Sequence, residues 1–230
     1  MDKSAELNYD RRTIVIGLPF GGRDVCPQWA VKLSTYQFPM NTSRNIISSY
    51  GLETSDARNR IVEQAILAKA KYLMFIDDDV AAPPGGILKL VYNLAQDSKA
   101  MVTGGIYFMK GEITEPVVFQ KKGEGPFWQW KKGEVFECDI IGTGFMLINM
   151  EVFNHIEKPY FKIIDEFDGH RRTVGTEDAY FCDKVRAAGF KILADGGILC
   201  DHYDMDSKKV YRIPEDSYPM KHPVEDIVEL

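Results

Sequence analysis

The chain has 230 residues, 45% of them hydrophobic and 27% charged, with a formal net charge of −6. A chain this long buries a substantial core, as one domain or two small ones. The acidic balance excludes a general attraction to nucleic acid or anionic lipid, and the pairs Lys121-Lys122 and Lys131-Lys132 read as solvated loop ends around an aromatic stretch. Cys26, Cys138, Cys182 and Cys200 form no CxxC pair. This argues against a zinc ribbon or thioredoxin-type site and for reduced thiols in a cytoplasmic protein. The opening MDKSAELNYDRR lacks an apolar signal core, and no apolar run approaches the ~20 residues that cross a bilayer. A cytoplasmic location with no transmembrane segment is therefore expected.

Residues Thr13–Leu18 form a continuous apolar run followed by turn residues Pro19 and Gly21-Gly22, the pattern of a buried parallel strand. A short strand is expected at Asn45–Tyr50. Thr54 or Ser55 is positioned to cap a helix beginning near Asp56, in which Ala57, Ile61, Val62, Ala65 and Ile66 repeat at helical spacing. Tyr72–Ile76 reads as a second buried strand ending in Asp77-Asp78-Asp79. Pro83-Pro84 suits a helix start, with Ile87, Leu88, Val91, Leu94 and Ala95 as its apolar stripe. Met101–Thr103 reads as a further strand. This alternation indicates a parallel α/β sheet. After it, Tyr107–Glu137 reads as strands with loops, Phe145–Ile148 as a strand, Glu151–Glu157 as a short helix and Lys158–Thr176 as an irregular loop. Asp178–Ala188 reads as a helix stopped by Gly189, followed by strands at Phe190–Ala194 and Ile198–His202. The polar chain from Asp204 onward reads as a surface tail.

Three carboxylates directly after an apolar strand are the strongest chemical signal. Ligands of open parallel sheets bind outside the carboxyl ends of strands. Oxygen donors crowded there suit Mg²⁺ or Mn²⁺, with substrate phosphates completing the coordination; the alternative is a solvated acidic turn capping the next helix. Glu177-Asp178 opens a helix, where the dipole favours negative charge. Either one of the two is a general base facing a cleft, or both simply cap. His202, just past an apolar strand, is structural unless the fold brings it to the aspartates, where an imidazole would partner Mn²⁺. Gly142-Thr143-Gly144 would allow close backbone approach to a ligand. Arg58, in a first helical turn, is either exposed or a phosphate ligand. Trp128 and Trp130 either stack on an acceptor or belong to the core.

In order, SDARNRIVEQAILAKAKYLMFIDDDV, CDIIGTGFMLINMEVF, TEDAYFCDKVRAAGFKILAD and the late His202 resemble GT-A glycosyltransferases, particularly the inverting family 2 group, over roughly residues 13–203. The resemblance implies a single α/β domain, 1–230, of GT-A (Rossmann-like) fold, with a mostly parallel central sheet flanked by helices and a smaller mixed sheet in the second half. Residues 13–105 would bind the nucleotide-sugar and 106–203 the acceptor, with 204–230 as a tail. The implied donor residues are Pro19 and Phe20 (base and ribose), Arg58 (diphosphate), Asp77, Asp78, Gly104 and Gly105. Asp77, Asp79 and His202 occupy the metal positions, with Asp79 and His202 the direct ligands; Asp77 would alternatively hold the ribose or a metal-bound water. Asp178 matches the base, with Glu177 beside it, and the acceptor side takes Gly142, Thr143, Gly144, Trp128 and Trp130. Two departures stand out: the triple aspartate leaves the DxD register ambiguous, and His202 lies in an unusual DHYD context. The implied reaction is metal-dependent sugar transfer with inversion from a nucleoside-diphosphate sugar, UDP-linked before GDP-linked. The acceptor class is open among glycan, lipid-linked sugar, protein and modified nucleic acid. The competing readings are a sugar nucleotidyltransferase and a non-catalytic nucleotide-sugar-binding protein.

Overall fold

The structure, a computed structural model, describes residues 12–112, 114–167, 170, 172–212 and 227–229. In chain order its elements are β1 (Arg12–Phe20), α1 (Pro27–Thr35), β2 (Thr42–Tyr50), α2 (Thr54–Leu67), β3 (Tyr72–Ile76), β4 (Val80–Ala81), α3 (Gly86–Gln96), β5 (Ala100–Ile106), β6 (Val118–Phe119), β7 (Val135–Glu137), β8 (Ile140–Ile141), β9 (Phe145–Asn149), a 3₁₀ helix (Met150–Asn154), β10 (Ile164–Phe167), β11 (Arg172–Gly175), α4 (Glu177–Ala187), β12 (Lys191–Leu199), β13 (Asp201–Asp204), β14 (Lys209–Tyr211) and β15 (Ile227–Glu229). The central sheet has seven strands in the order β2-β1-β3-β9-β5-β12-β7. β2, β1, β3, β5 and β12 run one way, and β9 and β7 run against them. This is the expected α/β architecture: a large mixed sheet flanked by helices, with smaller sheets in the second half.

Both faces of the sheet are covered, which is why its strands read as unbroken apolar runs. Leu73 and Phe75 of β3 pack with Ile61 and Val62 of α2 and Phe181 and Val185 of α4. The intervening Tyr72, Met74 and Ile76 pack on the other face with Trp29 of α1 and Ile87 and Leu90 of α3. Every residue of β3 is buried. Cys26, Cys138, Cys182 and Cys200 are all buried and free.

Several local expectations need correction. The helix at Pro27–Thr35 carried no clear apolar period, since only Trp29 is buried along it. The cap of α2 is Glu53, whose carboxylate accepts from Ser55 N, rather than Thr54 or Ser55. Pro83-Pro84 precedes α3, which starts at Gly86. The helix after β9 is a shorter 3₁₀ turn. The stretch read as irregular contains the antiparallel β10–β11 pair. The two strands expected at Phe190–Ala194 and Ile198–His202 are one bulged strand, β12, with a register shift between Asp195 and Leu199, then β13 in another sheet. In the expected tail, β14 pairs with β13 and with β15; residues 213–226 and 230 of that tail and the MDKSAELNYDR opening lie outside the described residues.

Candidate active site

The site forms at one edge of the central sheet. β1 and β3 both end there, and antiparallel β9 begins there, with Ile76 opposite Phe145. β5 leads out of the same edge through Tyr107 and Phe108. The aspartate turn after β3 is held by main-chain and ring contacts: Asp77 N donates to Gly144 O at 3.0 Å, Val80 N donates to Asp77 O at 3.2 Å, and Trp29 Nε1 donates to Asp77 O at 2.7 Å. Two-residue β4 then pairs with β13, placing His202 opposite Val80, and Tyr203 N donates to Asp79 O at 2.7 Å. A short strand pairing thus carries His202 to the aspartates.

Each aspartate has a different partner. Both Asp77 oxygens accept from Arg58 Nη2 at 3.0 Å. Arg58 also pairs with Glu177 of α4, and its side chain is only 4% exposed. Burial works against the Arg58 charge, but Asp77, Asp178 and Glu177 outweigh it and hold the guanidinium charged. Asp78 accepts from Gly21 N at 3.2 Å and from Arg23 Nη2 at 3.0 Å. Asp79 Oδ2 accepts from Lys110 Nζ at 2.6 Å and from Arg23, while its Oδ1 lies 3.5 Å from His202 Nε2. Burial pushes the Asp79 carboxyl up, yet His202 and Lys110 together hold it well below the usual carboxylate range.

His202 Nδ1 lies 2.7 Å from Phe108 O. A carbonyl oxygen only accepts, so Nδ1 carries the proton and Nε2 is the atom turned toward Asp79. An imidazole with its distal N–H on a carbonyl is oriented as metal-bound histidines usually are. Among the described residues no group of three or more His, Cys, Asp or Glu is arranged to hold a metal ion. Asp79 and His202 are the carboxylate and imidazole that could face one ion together, with its other positions falling to phosphate oxygens and water.

Thr176 caps α4 through Ala179 N at 3.4 Å, leaving Glu177 and Asp178 in the first turn. Burial raises the Glu177 carboxyl pKa, with Asp178 adding to it and Arg58 opposing. Glu177 is committed to Arg58, whereas Asp178 makes no hydrogen bond or ion pair among the described residues. Pro19, Phe20, Arg58, Asp77 and Asp78 all line one cleft of about 90 Å³, together with Arg23. A larger open groove of about 540 Å³ along Tyr36–Arg44 is lined by no carboxylate.

The structure corrects three assignments. Trp128 and Trp130 are 4% and 1% exposed and sit in the core beside Phe108 and Phe127, leaving no ring face for an acceptor. Gly104 and Gly105 are buried in the sheet, where a Cβ would strike Ile141 and Ile198 at 2.9 and 2.7 Å; their lack of side chains serves packing rather than the donor. Gly142 and Gly144 likewise make room for Tyr107: a Cβ on Gly144 would lie 2.9 Å from its Cζ, and Thr143 is wholly buried. Asp77, read as a metal position or as a partner of the ribose or a metal-bound water, accepts from Arg58 through both oxygens.

Arg23, Lys110 and Tyr107 were not singled out in the sequence. The only signal near Arg23 was the glycine turn before it, and Lys110 had none. Tyr107 Oη accepts from Gly144 N at 3.2 Å, and its ring lies edge-on to His202 at 5.3 Å. The dipeptide Tyr107-Phe108 thus supports both the Asp77 turn, through Gly144, and the ring of His202. Tyr107→Phe should lower stability by about 1–2 kcal/mol, because it strands the buried Gly144 amide. Denaturant unfolding reads this directly, and an unchanged midpoint would show that the hydroxyl does not hold this loop.

A family model described as "Glycosyl transferase family 2" matches residues 44–156. That span includes Arg58 and the three aspartates and ends before Glu177, Asp178 and His202. Among solved structures, the protein A197 from STIV aligns with a TM-score of 0.61 at 19% identity, over 92% of this chain and 98% of that one; this shows a shared fold. S. aureus TarS 1-349 in complex with UDP-GlcNAc aligns with a TM-score of 0.48 at 14% identity, over 80% of this chain and 55% of that one. No curated protein matches the sequence. Among the described residues no helix is long and apolar enough to cross a membrane.

Proposed function

Since this chain is a glycosyltransferase of GT-A-like fold, related to family 2, we propose that it transfers a sugar from a nucleoside-diphosphate sugar with inversion and with the help of Mn²⁺ or Mg²⁺. A UDP-sugar is the first candidate donor and a GDP-sugar the second. The observation that carries the metal dependence is the pairing of Asp79 with His202, whose Nδ1 is fixed on Phe108 O and whose Nε2 faces Asp79 Oδ1 at 3.5 Å. One hard oxygen and one imidazole nitrogen suit Mn²⁺.

Asp79 and His202 would hold the cation, which when bound would neutralise the charge that grows on the leaving diphosphate. Pro19 and Phe20 contact the nucleoside, and Asp78 fixes the Gly21 turn beside them. Arg58 locks the aspartate turn to α4 through Asp77 and Glu177. Asp178, beside this anchor yet unpaired, takes the proton of the acceptor nucleophile as it attacks the anomeric carbon from the face opposite the leaving group. In-line attack of this kind inverts the configuration. In this division of labour residues 13–105 serve mainly the donor and 106–203 the acceptor.

Calorimetric titration with UDP and GDP tests the metal site. Affinity should rise by at least about tenfold on going from EDTA to Mn²⁺, since phosphate oxygens complete the coordination. Asp79→Ala should abolish that gain. Equal affinities with EDTA and Mn²⁺ in the unaltered protein would rule the metal out.

A further inference from the structure

The two cations at the mouth of the site have no assigned role in the reaction above. Arg23 Nη2 contacts both Asp78 Oδ1 and Asp79 Oδ2, and Lys110 Nζ contacts the same Asp79 oxygen at 2.6 Å. We propose that Lys110 and Arg23 are exchangeable counter-ions: they neutralise Asp78 and Asp79 in the donor-free protein, compete there with the divalent cation, and pass to the donor diphosphate once that cation takes Asp79. This rests on the metal-dependent reading of the site.

Three observations support the exchange. The first is occupancy. Asp79 has two oxygens; one faces His202 Nε2 and the other already accepts from two cationic groups. A divalent ion held by Asp79 and His202 must take charge from this carboxylate that Lys110 and Arg23 now share.

The second is charge. The carboxylates of Asp77, Asp78, Asp79, Glu177 and Asp178 outnumber the cations Arg23, Arg58 and Lys110. Each of these cations is already on a carboxylate, so a diphosphate would enter an acidic cleft with no free positive group. A divalent ion on Asp79 removes the need for Lys110 and Arg23 there and frees both for phosphate oxygens, which Arg and Lys bind well.

The third is mobility and space. Arg58 is 4% exposed at its side chain, against 23% for Lys110 and 56% for Arg23. Arg23 follows Gly22, which lies at φ 85°. Arg23, about half exposed, is the cheapest of the three to move, Lys110 is intermediate, and Arg58 is fixed. The cleft that Arg23 lines encloses about 90 Å³, below the ~300 Å³ at which ligand pockets begin. Withdrawal of Arg23 from Asp78 and Asp79 would widen this cleft for a diphosphate.

The test uses Lys110→Gln and Arg23→Gln in the full chain. Mn²⁺ binding without nucleotide is read from the free-ion EPR signal, and UDP and GDP binding at saturating Mn²⁺ from calorimetry. Removing a competing cation should tighten Mn²⁺ binding severalfold, and removing a phosphate partner should weaken nucleotide binding about tenfold, the scale of one charged hydrogen bond. Opposite signs in one variant are the signature, because general damage to the fold weakens both. If Mn²⁺ binding is unchanged or weaker in both variants, or nucleotide binding is undiminished, the exchange is wrong. A wild-type protein that binds nucleotide equally with and without Mn²⁺ would instead overturn the metal-dependent reading itself.

Discussion

Asp178→Asn should lower kcat by about 10²–10⁴-fold, the usual contribution of a general base, with nucleotide and Mn²⁺ affinities near those of the unaltered protein. The amide keeps the shape of the carboxylate and takes no proton. Asp178 is the appropriate residue because of what it lacks. Its neighbour Glu177 is held by Arg58, while Asp178 makes no hydrogen bond or ion pair among the described residues. It lies in the first turn of α4, beside the anchored Glu177. Glu177→Gln should cost transfer much less, because its part is to hold Arg58. The measurement is the transfer rate of both variants, with the product's anomeric configuration by NMR. Transfer at the unaltered rate by Asp178→Asn, or a product that retains the donor's configuration, would show that base-catalysed inversion is wrong.

Arg58→Met should destabilise the fold by about 3 kcal/mol, the low end for breaking a buried pair, since Asp77 and Glu177 keep some exposure, at 22% and 13% of their side chains. For a domain of this size that corresponds to a fall in Tm of roughly 6–12 °C. The cause is the uncompensated charge left on two carboxylates rather than lost packing. Neutralising them in Arg58→Met/Asp77→Asn/Glu177→Gln should therefore restore most of the stability and none of the activity. The loss should also depend on pH with a definite sign. The Glu177 carboxyl already titrates above its ordinary value because of burial and Asp178, so removing Arg58 raises it further. A carboxyl whose folded pKa is raised destabilises the fold as pH rises from the ordinary value, ~4.3, through the folded one. The deficit of Arg58→Met should thus shrink on acidification toward that range. A deficit that stays constant, or a triple variant no more stable than the single one, would point to lost packing.

Much of the architecture was legible because its signals are local. A strand buried on both faces must be apolar at every position, and Tyr72–Ile76 is. The helix at α2 buries Ala57, Ile61, Val62 and Ala65, and these recur at helical spacing. The acidic turn after β3 was visible for the same reason: strand and carboxylates are adjacent in the chain. What failed were elements too short to carry a period, such as α1 with one buried residue and β4 with two residues. The two tryptophans failed differently. An aromatic residue in a loop-rich segment has the same sequence signature whether its ring faces solvent or the core, and here Phe108, Phe127 and the sheet enclose both.

The sequence by itself determined the fold class and pointed to most of the ionisable groups gathered at the site, namely the three aspartates, Glu177-Asp178, Arg58 and His202, but not to Arg23 or Lys110. Only the tertiary structure decided how those groups are shared out. Asp77 belongs to Arg58, Asp78 to the Gly21 turn and Arg23, and Asp79 to His202, Lys110 and Arg23; of the acidic pair, Glu177 is held by Arg58. The physical reason is range. Hydrophobic periodicity is written over a few consecutive residues, whereas the role of a carboxylate is set by whichever charges come within about 3–4 Å of it, and here most of those charges arrive on elements far apart in the chain.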